Sequence, residues 1–464
     1  MDDLGYRYWG SFIILAVLTL GLQYHARTLA SKKEERNSSK EKASNSSFRT
    51  FQLNYLGIFL LAMLSDWLQG PYVYALYSSY GFSQEEIAQL FVCGFGSSMI
   101  VGTFVGGLAD KFGRKKMCML YCLCYILSCL TKLVPEYWTL MVGRFLGGVA
   151  TSLLFSVFEA WMVSEHNRKG FDGALIGDTF SYATFGNGLV AVLAGLVANA
   201  AAESHGYVAP FMLSIVPLVL ILGAMAVSWE ENYGDQAFEL TTSMAKGLRL
   251  LREDKRIFAL GLGQSCFEGA MYTFVFMWTP ALQEAPSSQE GKTTEDYLGL
   301  IFAAFMVAVM AGSSLFKILL DNPRRLVAVP LGVHAAAAAS MGLAAMAMDA
   351  DKGLVYTLFL VFEAAVGLFY PAYGMIKAEA LPENIRSAVM NMFRVPLNLF
   401  VVFVLLKIEH LSSRAVFGVC ALTHLLGLLA YAYFFLTRPP QEKVRQSPAV
   451  REGDREKLLE GQEL

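Results

Sequence analysis

Long apolar segments alternate with short polar turns along nearly the whole chain. A helix needs about 20 mainly apolar residues to cross a bilayer, so each segment of that length predicts a membrane-spanning helix. Thirteen such segments are present, over residues 9–24, 52–75, 86–108, 117–134, 138–163, 178–201, 208–229, 257–282, 297–320, 326–348, 354–375, 387–408 and 415–436. The pattern therefore predicts an all-α membrane protein.

The spacing divides these segments into one separate helix and two groups of six. A polar run over 27–49 follows the first helix and predicts a flexible linker. The expected units are an N-terminal transmembrane anchor (1–25), a cytoplasmic linker (26–50), a six-helix bundle (51–229), a cytoplasmic central loop (230–256), a second six-helix bundle (257–437) and a disordered cytoplasmic tail (438–464).

Lys and Arg are distributed unequally between the turns on the two sides of the predicted membrane. One set of turns carries 22 of them, whereas the other set carries only Arg7, Lys292, Lys352 and Arg414. Cytoplasmic turns are enriched in these residues. We therefore expect a multi-pass protein of the plasma membrane with its N-terminus outside and its C-terminus in the cytoplasm.

The composition supports a membrane protein and gives little support to other classes. The chain is 55% hydrophobic and 16% charged, and its formal net charge of -2 gives no basis for nucleic-acid binding. It has no phosphate-binding P-loop, and its six His residues show no metal-ligand spacing. We expect a monomer in the lipid bilayer that is not an enzyme and uses no cofactor or metal.

The turn between the second and third segments of the first group of six is unusually basic. It reads GLADKFGRKK from Gly107 and is too short to leave the membrane surface. We assign Asp110, Arg114 and Lys115 a gating role, in which they pair with neighbouring helix ends. The alternative is a solvated turn that only sets the topology. A weaker copy, LDNPRR, follows at residues 320–325, as expected if the two halves arose by duplication.

This turn and the string GRFLGG at 143–148 resemble motifs of the major facilitator superfamily. Within that superfamily, four further strings resemble the molybdate-anion transporter family: DWLQGPYVYALY from Asp66, LCYILSCLTKL from Leu123, LLFSVFEAW from Leu153 and RVPLN from Arg394. The resemblance covers most of the chain between residues 51 and 436. It implies a major facilitator fold and the uptake of molybdate, a tetrahedral oxyanion.

Ionisable side chains deep in a membrane are costly and usually face a cavity or a partner, so each is a functional candidate. The candidates are Asp66, Arg144, Glu159, Glu268, Glu363 and Arg394. Guanidinium groups match the geometry of oxyanions. We therefore predict that Arg394 and Arg144 bind substrate, with Asn187, Tyr370 and Asn391 as neutral donors. The alternatives are salt bridges for the arginines and helix packing for the neutral residues.

The deep carboxylates have a separate possible role. Moving one charge against 100 mV costs about 2.3 kcal/mol, so a dianion entering a negative cell costs about 4.6 kcal/mol. Proton coupling would offset that cost, and Glu268, Asp66, Glu363 and Glu159 are the candidate proton carriers. The alternative is that they only balance the arginines. Lys132, Lys317 and Lys407 lie near predicted helix ends, where a long side chain can reach water.

The predicted function is therefore uptake of molybdate by alternating access, with proton coupling as an additional hypothesis. One alternative keeps the transporter class but changes the cargo to sulfate or an organic acid, or reverses the direction. The other is a membrane sensor or scaffold that does not transport and signals through the polar loop or tail.

Overall fold

The computed structural model describes residues 3–37, 46–234, 240–286, 293–319, 325–381 and 386–437. Apart from turns and three short 3₁₀ segments, these residues form α-helices. In chain order the helices are α1 (Asp3–Asn37), α2 (Ser46–Trp67), α3 (Val73–Ser79), α4 (Gln84–Phe112), α5 (Arg114–Thr131), α6 (Tyr137–Leu154), α7 (Val157–Arg168), α8 (Ala174–His205), α9 (Ala209–Ser228), α10 (Leu240–Glu253), α11 (Lys255–Glu284), α12 (Leu298–Leu319), α13 (Arg325–Ala347), α14 (Lys352–Ala380), α15 (Arg386–Leu406) and α16 (Ser413–Leu436).

Side-chain caps fix where several of these helices begin. The Ser83 hydroxyl accepts a hydrogen bond from the backbone N–H of Glu86, whose carboxylate accepts one from the Ser83 N–H, at the start of α4. Asp254, Asp351 and Ser412 cap α11, α14 and α16 in the same way. Each cap satisfies backbone donors that the first helical turn leaves free, so the helix starts are set locally.

The prediction of a flexible linker over 27–49 is wrong at both ends. Helix α1 continues to Asn37, and α2 already begins at Ser46. The run from Arg27 to Asn37 contains neither Gly nor Pro and is rich in Lys, Glu, Arg and Ala, all of which favour helix. The polar residues from Arg27 onwards end the predicted membrane-spanning segment, but the helix itself continues through them to Asn37.

The chain folds as two six-helix bundles with one additional helix. The N-bundle contains α2 to α9, with the α2–α3 and α6–α7 pairs each forming one crossing, and the C-bundle contains α11 to α16. The α2–α3 crossing bends at a short 3₁₀ turn that contains Pro71. Helix α10 lies between the bundles in sequence and packs on α15. Ten described segments are long and apolar enough to cross a membrane by length and composition.

The extra helix α1 packs on α12 and the start of α14 in the C-bundle. Tyr8 is 1% exposed and lies with its ring centroid 4.9 Å from that of Tyr356. The hydroxyls of Ser11 and Tyr356 are 2.8 Å apart, and Arg7 lies 3.8 Å from Asp351. The additional helix is therefore attached to the C-bundle, although it precedes the N-bundle in sequence.

The membrane face that carries the Asp110 turn is called the basic side here, and the other face the opposite side. The largest cluster of buried apolar residues includes members of both bundles, such as Phe91 and Phe276. The clusters nearer the basic side, around Trp161 and around Phe393, each belong to one bundle. Apolar residues of both bundles thus pack together on the opposite side and, through Val192 of α8 and Val307 of α12, near the middle of the membrane.

The closest approach between the bundles is a backbone contact of α8 with α12. A Cβ atom added at Gly195 would lie 2.7 Å from the carbonyl oxygen of Gly299. Beside it, the Tyr72 hydroxyl donates to Asn199 Oδ1, and the Leu300 N–H donates to the same oxygen, both at 3.3 Å. Only glycine allows two helices to come this close, so these residues define a closed seam.

Aromatic rings extend the seam towards the middle of the membrane. Phe91 meets Phe276 with ring centroids 5.1 Å apart, and Phe95 meets Tyr272 at 5.3 Å. Hydrogen bonds and ring contacts between described residues of the two bundles lie along this half of the molecule. We infer that the structure is closed on the opposite side and parted on the basic side.

We expect Gly299→Val to hold the bundles apart on the opposite side, because a Cβ atom there would lie 2.8 Å from the backbone nitrogen of Asn199. Overpacking of this kind costs about 1–3 kcal/mol, which favours the parted seam about 5- to 150-fold. The readout is the rate at which a membrane-impermeant thiol reagent labels Ala202→Cys, a position buried in the shared core cluster.

Gly223→Val is the matched control, because a Cβ atom at Gly223 meets nothing within 4 Å. Faster labelling in the Gly299→Val background alone is the expected result. Equal labelling rates in the two backgrounds would contradict the role of the seam.

Candidate functional site

A cluster of polar side chains lies inside the C-bundle, on the faces of α11, α14 and α15 that look towards the N-bundle. Gln264 Nε2 donates to Glu268 Oε1 at 3.0 Å, one helical turn away on α11. The Tyr373 hydroxyl donates to Gln264 Oε1 from α14. Arg394 from α15 interacts electrostatically with Glu268. These residues, together with Tyr370 and Lys377, are called the C-bundle polar cluster.

Arg394 is an exposed member of this cluster, as is Tyr370. It interacts electrostatically with Tyr272, Tyr370 and Tyr373 as well as with Glu268. Within the described part of the chain no carboxylate lies within ion-pair distance of its guanidinium. A cation held near a carboxylate but not paired with it, and open towards the parted side, is available to an anionic ligand.

Lys377 is a member of this cluster that the sequence analysis missed, because it counted this residue only as a turn cation. Its Nζ lies 5.0 Å from the ring centroid of Tyr373 on the preceding turn of α14. It interacts electrostatically with Glu268 and, across the gap between the bundles, with Glu159. The signal was in the sequence, since Tyr370, Tyr373 and Lys377 have the spacing of one helix face.

The predicted residues of the N-bundle are engaged separately. The Tyr125 hydroxyl donates to Asp66 Oδ1, which ties α5 to α2. Asn187 on α8 accepts a hydrogen bond from Trp67 Nε1 at 2.8 Å. Both groups already have a partner within their own bundle, so the structure does not place them with the C-bundle polar cluster.

Glu159 and Glu363 lie in contrasting surroundings. Glu159, near the start of α7, is exposed and lines a cavity of about 560 Å³ that Arg114 and Tyr233 also line. Glu363 is 7% exposed inside α14 and interacts electrostatically with Tyr370. Glu159 therefore faces the parted side, whereas Glu363 lies deeper in the C-bundle, behind the polar cluster.

Arg144 is not part of the C-bundle polar cluster. From α6 its Nε donates to the carbonyl oxygen of Leu90 at 3.2 Å, and its guanidinium lies 4.7 Å from the ring centroid of Phe91. Both contacts are on α4, near the closed seam. The structure thus does not bring the two predicted arginines together around one ligand. The side chain of Asn391 lies outside the described residues.

The basic turn joins α4, α5 and the end of α9. Arg114 donates from both Nε and Nη2 to Asp110 Oδ1, at 3.0 and 2.7 Å. Lys115 Nζ donates to the carbonyl oxygens of Ala226 and Trp229, at 3.0 and 2.7 Å. A lysine at a helix C-terminus satisfies free carbonyls and complements the helix dipole. The expected pairing with a neighbouring helix end is present, within the N-bundle, while the gating role stays a prediction.

Gly113 sits at the centre of this turn with φ +104°, a conformation that favours glycine. The Glu231 carboxylate packs against it and accepts hydrogen bonds from the backbone N–H groups of Lys115 and Lys116, at 2.8 and 3.2 Å. Glu231 therefore supplies the acceptors for the free N–H groups at the start of α5.

Comparison with known proteins identifies the family. A family model described as sugar transporters with 12 transmembrane segments matches residues 15–354. A molybdate-anion transporter from Xenopus tropicalis is 36% identical over 86% of this chain and 89% of its own length. One from Danio rerio is 35% identical over 92% of this chain and 94% of its own length.

The chain belongs to the molybdate-anion transporter family of the major facilitator superfamily. The crystal structure of a nucleoside transporter shares the fold, with a TM-score of 0.64 at 13% identity over 83% of this chain and 99% of its own. The sequence prediction of the family and of the major facilitator fold, two six-helix bundles with an extra N-terminal helix, is thereby confirmed.

We expect Gly113→Ala to destabilise this family member by about 1–3 kcal/mol, because the new methyl group forces a positive φ and meets the Glu231 carboxylate. The Cβ atom would lie 2.7 Å from Glu231 Oε1. Thermal unfolding of the detergent-purified protein measures the effect. Gly107→Ala in the same region is the control, since its Cβ atom meets nothing within 4 Å. Equal melting temperatures for the two variants would refute this account of the turn.

Proposed function

We propose that this protein carries molybdate into the cell by alternating access and that the C-bundle polar cluster is its substrate site. Two observations support the proposal. The relatives over nearly the whole length are named molybdate-anion transporters. Arg394 is exposed towards the parted side of the two bundles and lies in the field of Glu268, without an ion pair to it.

The chemistry of the cluster suits a tetrahedral dianion. Arg394 offers a planar fork of N–H donors, and Lys377 offers a second positive charge on the neighbouring helix. The Tyr370 hydroxyl, 43% exposed on α14, is a neutral donor beside them. The two cations balance the two negative charges of the ligand, and together with the hydroxyl they donate hydrogen bonds to several of its oxygens. A dianion that leaves water requires both.

Glu268 gives this site a route to proton coupling. Its carboxylate stabilises Arg394 while the site is empty, but it repels a dianion that binds the same guanidinium. A proton on Glu268 removes that repulsion, so proton and molybdate favour each other's binding at one place. Asp66, Glu363 and Glu159 are kept as further candidates for proton transfer, with Asp66 held by Tyr125.

The two faces of the molecule support alternating access. The glycine contact of α8 with α12 closes the opposite side, while the basic side is parted. Uptake then requires the α8–α12 seam to open on the opposite side. It also requires the bundles to close on the basic side near Glu159, where Lys377 attracts Glu159 across the gap. We assign Asp110, Arg114 and Lys115 to holding the N-bundle rigid during that movement, and we keep Arg144 and Asn187 as secondary substrate contacts.

Orientation and location are part of the same proposal. The excess of Lys and Arg on the basic side supports a cytoplasmic location for that side. We propose that the N-terminus lies outside and that the protein lies in the plasma membrane. The bounds of the two bundles, 51–229 and 257–437, are proposed as predicted from the sequence. Helix α1 runs past the predicted anchor to Asn37, α10 lies within the predicted central loop, and the predicted tail over 438–464 lies outside the described residues. We propose that a monomer is the working unit, because the two bundles of one chain together form the whole proposed substrate pathway.

We expect Arg394→Ala to lower molybdate uptake about 10- to 100-fold at low substrate, which corresponds to losing a charged hydrogen bond of roughly 1.5–3 kcal/mol. Arg394→Lys should retain part of the activity, because it keeps the charge but loses the fork. Uptake by cells with matched surface expression, followed through molybdenum content, measures the effect.

Arg414→Ala is the control, because Arg414 is an exposed cation on the opposite side, 3.1 Å from Asp349. Unchanged uptake in Arg394→Ala would remove this residue from the site. Sulfate added as a competitor separates the alternative cargoes: sulfate that competes equally with molybdate points to a general oxyanion carrier.

We expect wild-type uptake to rise as external pH falls, because protonation of Glu268 favours binding of the dianion. Glu268→Gln mimics the protonated carboxyl and should flatten this pH dependence while uptake at high pH is kept or raised. Initial uptake rates over a pH series test both points. Glu409→Gln, an exposed position on the opposite side, is the control. A variant at Glu268 that keeps the wild-type pH profile would refute the assignment.

A further inference from the structure

A second group of polar residues lies inside the N-bundle at its opposite-side end, away from the C-bundle polar cluster. Lys132, which follows the last residue of α5, is 2% exposed, and Tyr77 on α3 is 0% exposed. Neither Lys132 Nζ nor the Tyr77 hydroxyl has a hydrogen-bond partner among the residues that the structure describes. These two residues and Arg144 are called the Lys132 cluster.

The burial of Lys132 contradicts the sequence-based expectation that its long side chain reaches water. Its Nζ lies 5.6 Å from the ring centroid of Tyr77. A Cβ atom added at Gly143 on α6 would lie 3.1 Å from the same Nζ, so a glycine makes room for the ammonium group. The side chain therefore points inward between α3 and α6, and its charge is removed from solvent.

Arg144, the next residue on α6, adds a second positive charge. It interacts electrostatically with both Lys132 and Tyr77. It is only half-buried, and the Leu90 carbonyl and the Phe91 ring already compensate part of its charge. The ammonium of Lys132 lies near the Tyr77 ring but has no hydrogen-bond acceptor among the described residues, so it is the less compensated of the two charges.

No carboxylate within the described ranges lies at ion-pair distance from Lys132 or Arg144. The ionisable groups facing the cluster from α4 and α5 are the thiols of Cys93 and Cys129. Three acidic residues near this end lie at the helix starts: Glu85 and Glu86 in the first turn of α4, and Glu136 at the N-cap of α6. A buried ammonium without a partner costs several kcal/mol.

We propose that the Lys132 cluster binds a small monovalent anion of the halide class, with Lys132 Nζ and the Tyr77 hydroxyl as donors and Arg144 as the supporting charge. One negative charge balances the less compensated cation, and a halide ion is satisfied by few donors. The tight contact at Gly143 favours a small ion over a tetrahedral oxyanion. Bound there, the ion ties α3, α5 and α6 together beneath the closed seam.

Thermal unfolding of the full-length protein in detergent tests this site. Sodium chloride replaces sodium gluconate at constant ionic strength, so that a small halide replaces a large organic anion of the same charge. A ligand that binds the folded state raises the melting temperature as its concentration rises. We expect a saturable increase with chloride in the wild type and none in Lys132→Met, while Lys407→Met, which removes an exposed cation at the same side, behaves like the wild type.

Tyr77→Phe is the second variant, and it tests whether the Lys132 cluster binds chloride even if Lys132→Met does not fold. It keeps the buried ring and removes only the donor, so the chloride concentration at half-effect should rise about tenfold, as for a lost hydrogen bond to a charge. Equal melting temperatures of the wild type in chloride and gluconate would overturn the proposal. So would a stabilisation that depends on Lys132 and is produced by molybdate but not by chloride.

Discussion

A charge inside a bilayer is stable only where a partner or water reaches it, and this constraint organises the whole molecule. Asp66 is held by Tyr125, and Arg144 by a carbonyl and a ring. Glu159 and Arg394 instead face the gap between the bundles. The deep charged groups thus fall into two kinds. Some already have a partner within the protein, and the others are left open to a ligand.

The two bundles use their polar residues differently. In the C-bundle the polar groups of α11, α14 and α15 converge on one place, with Glu268, Lys377 and Arg394 in a common electrostatic field. In the N-bundle they are spread along the length of the helices and mostly paired internally. We therefore propose that ligand recognition falls chiefly to the C-bundle and that the N-bundle is the counterpart that opens and closes the route.

The fold was predictable from sequence because hydropathy is a local signal: each of the twelve core segments needed only its own residues to be found. The deep charges were found in the same way. Their partners were not, since the helices that surround Arg144 and Arg394 are distant in sequence and cannot be read from the residues beside each arginine. Lys377 and Lys132 were assigned to turns and helix ends for the same reason, because distance along the chain does not report burial.

The attachment of α1 to the C-bundle has a mechanical consequence. Helix α1 packs on α12, while α2 belongs to the N-bundle, so the eight residues between Asn37 and Ser46 join the two bundles, which move relative to each other in the proposed mechanism. An extended chain of that length reaches about 27 Å. The N-terminal helix is therefore a tether as well as an anchor, and its connecting segment sets an upper limit on how far the two bundles can rotate apart.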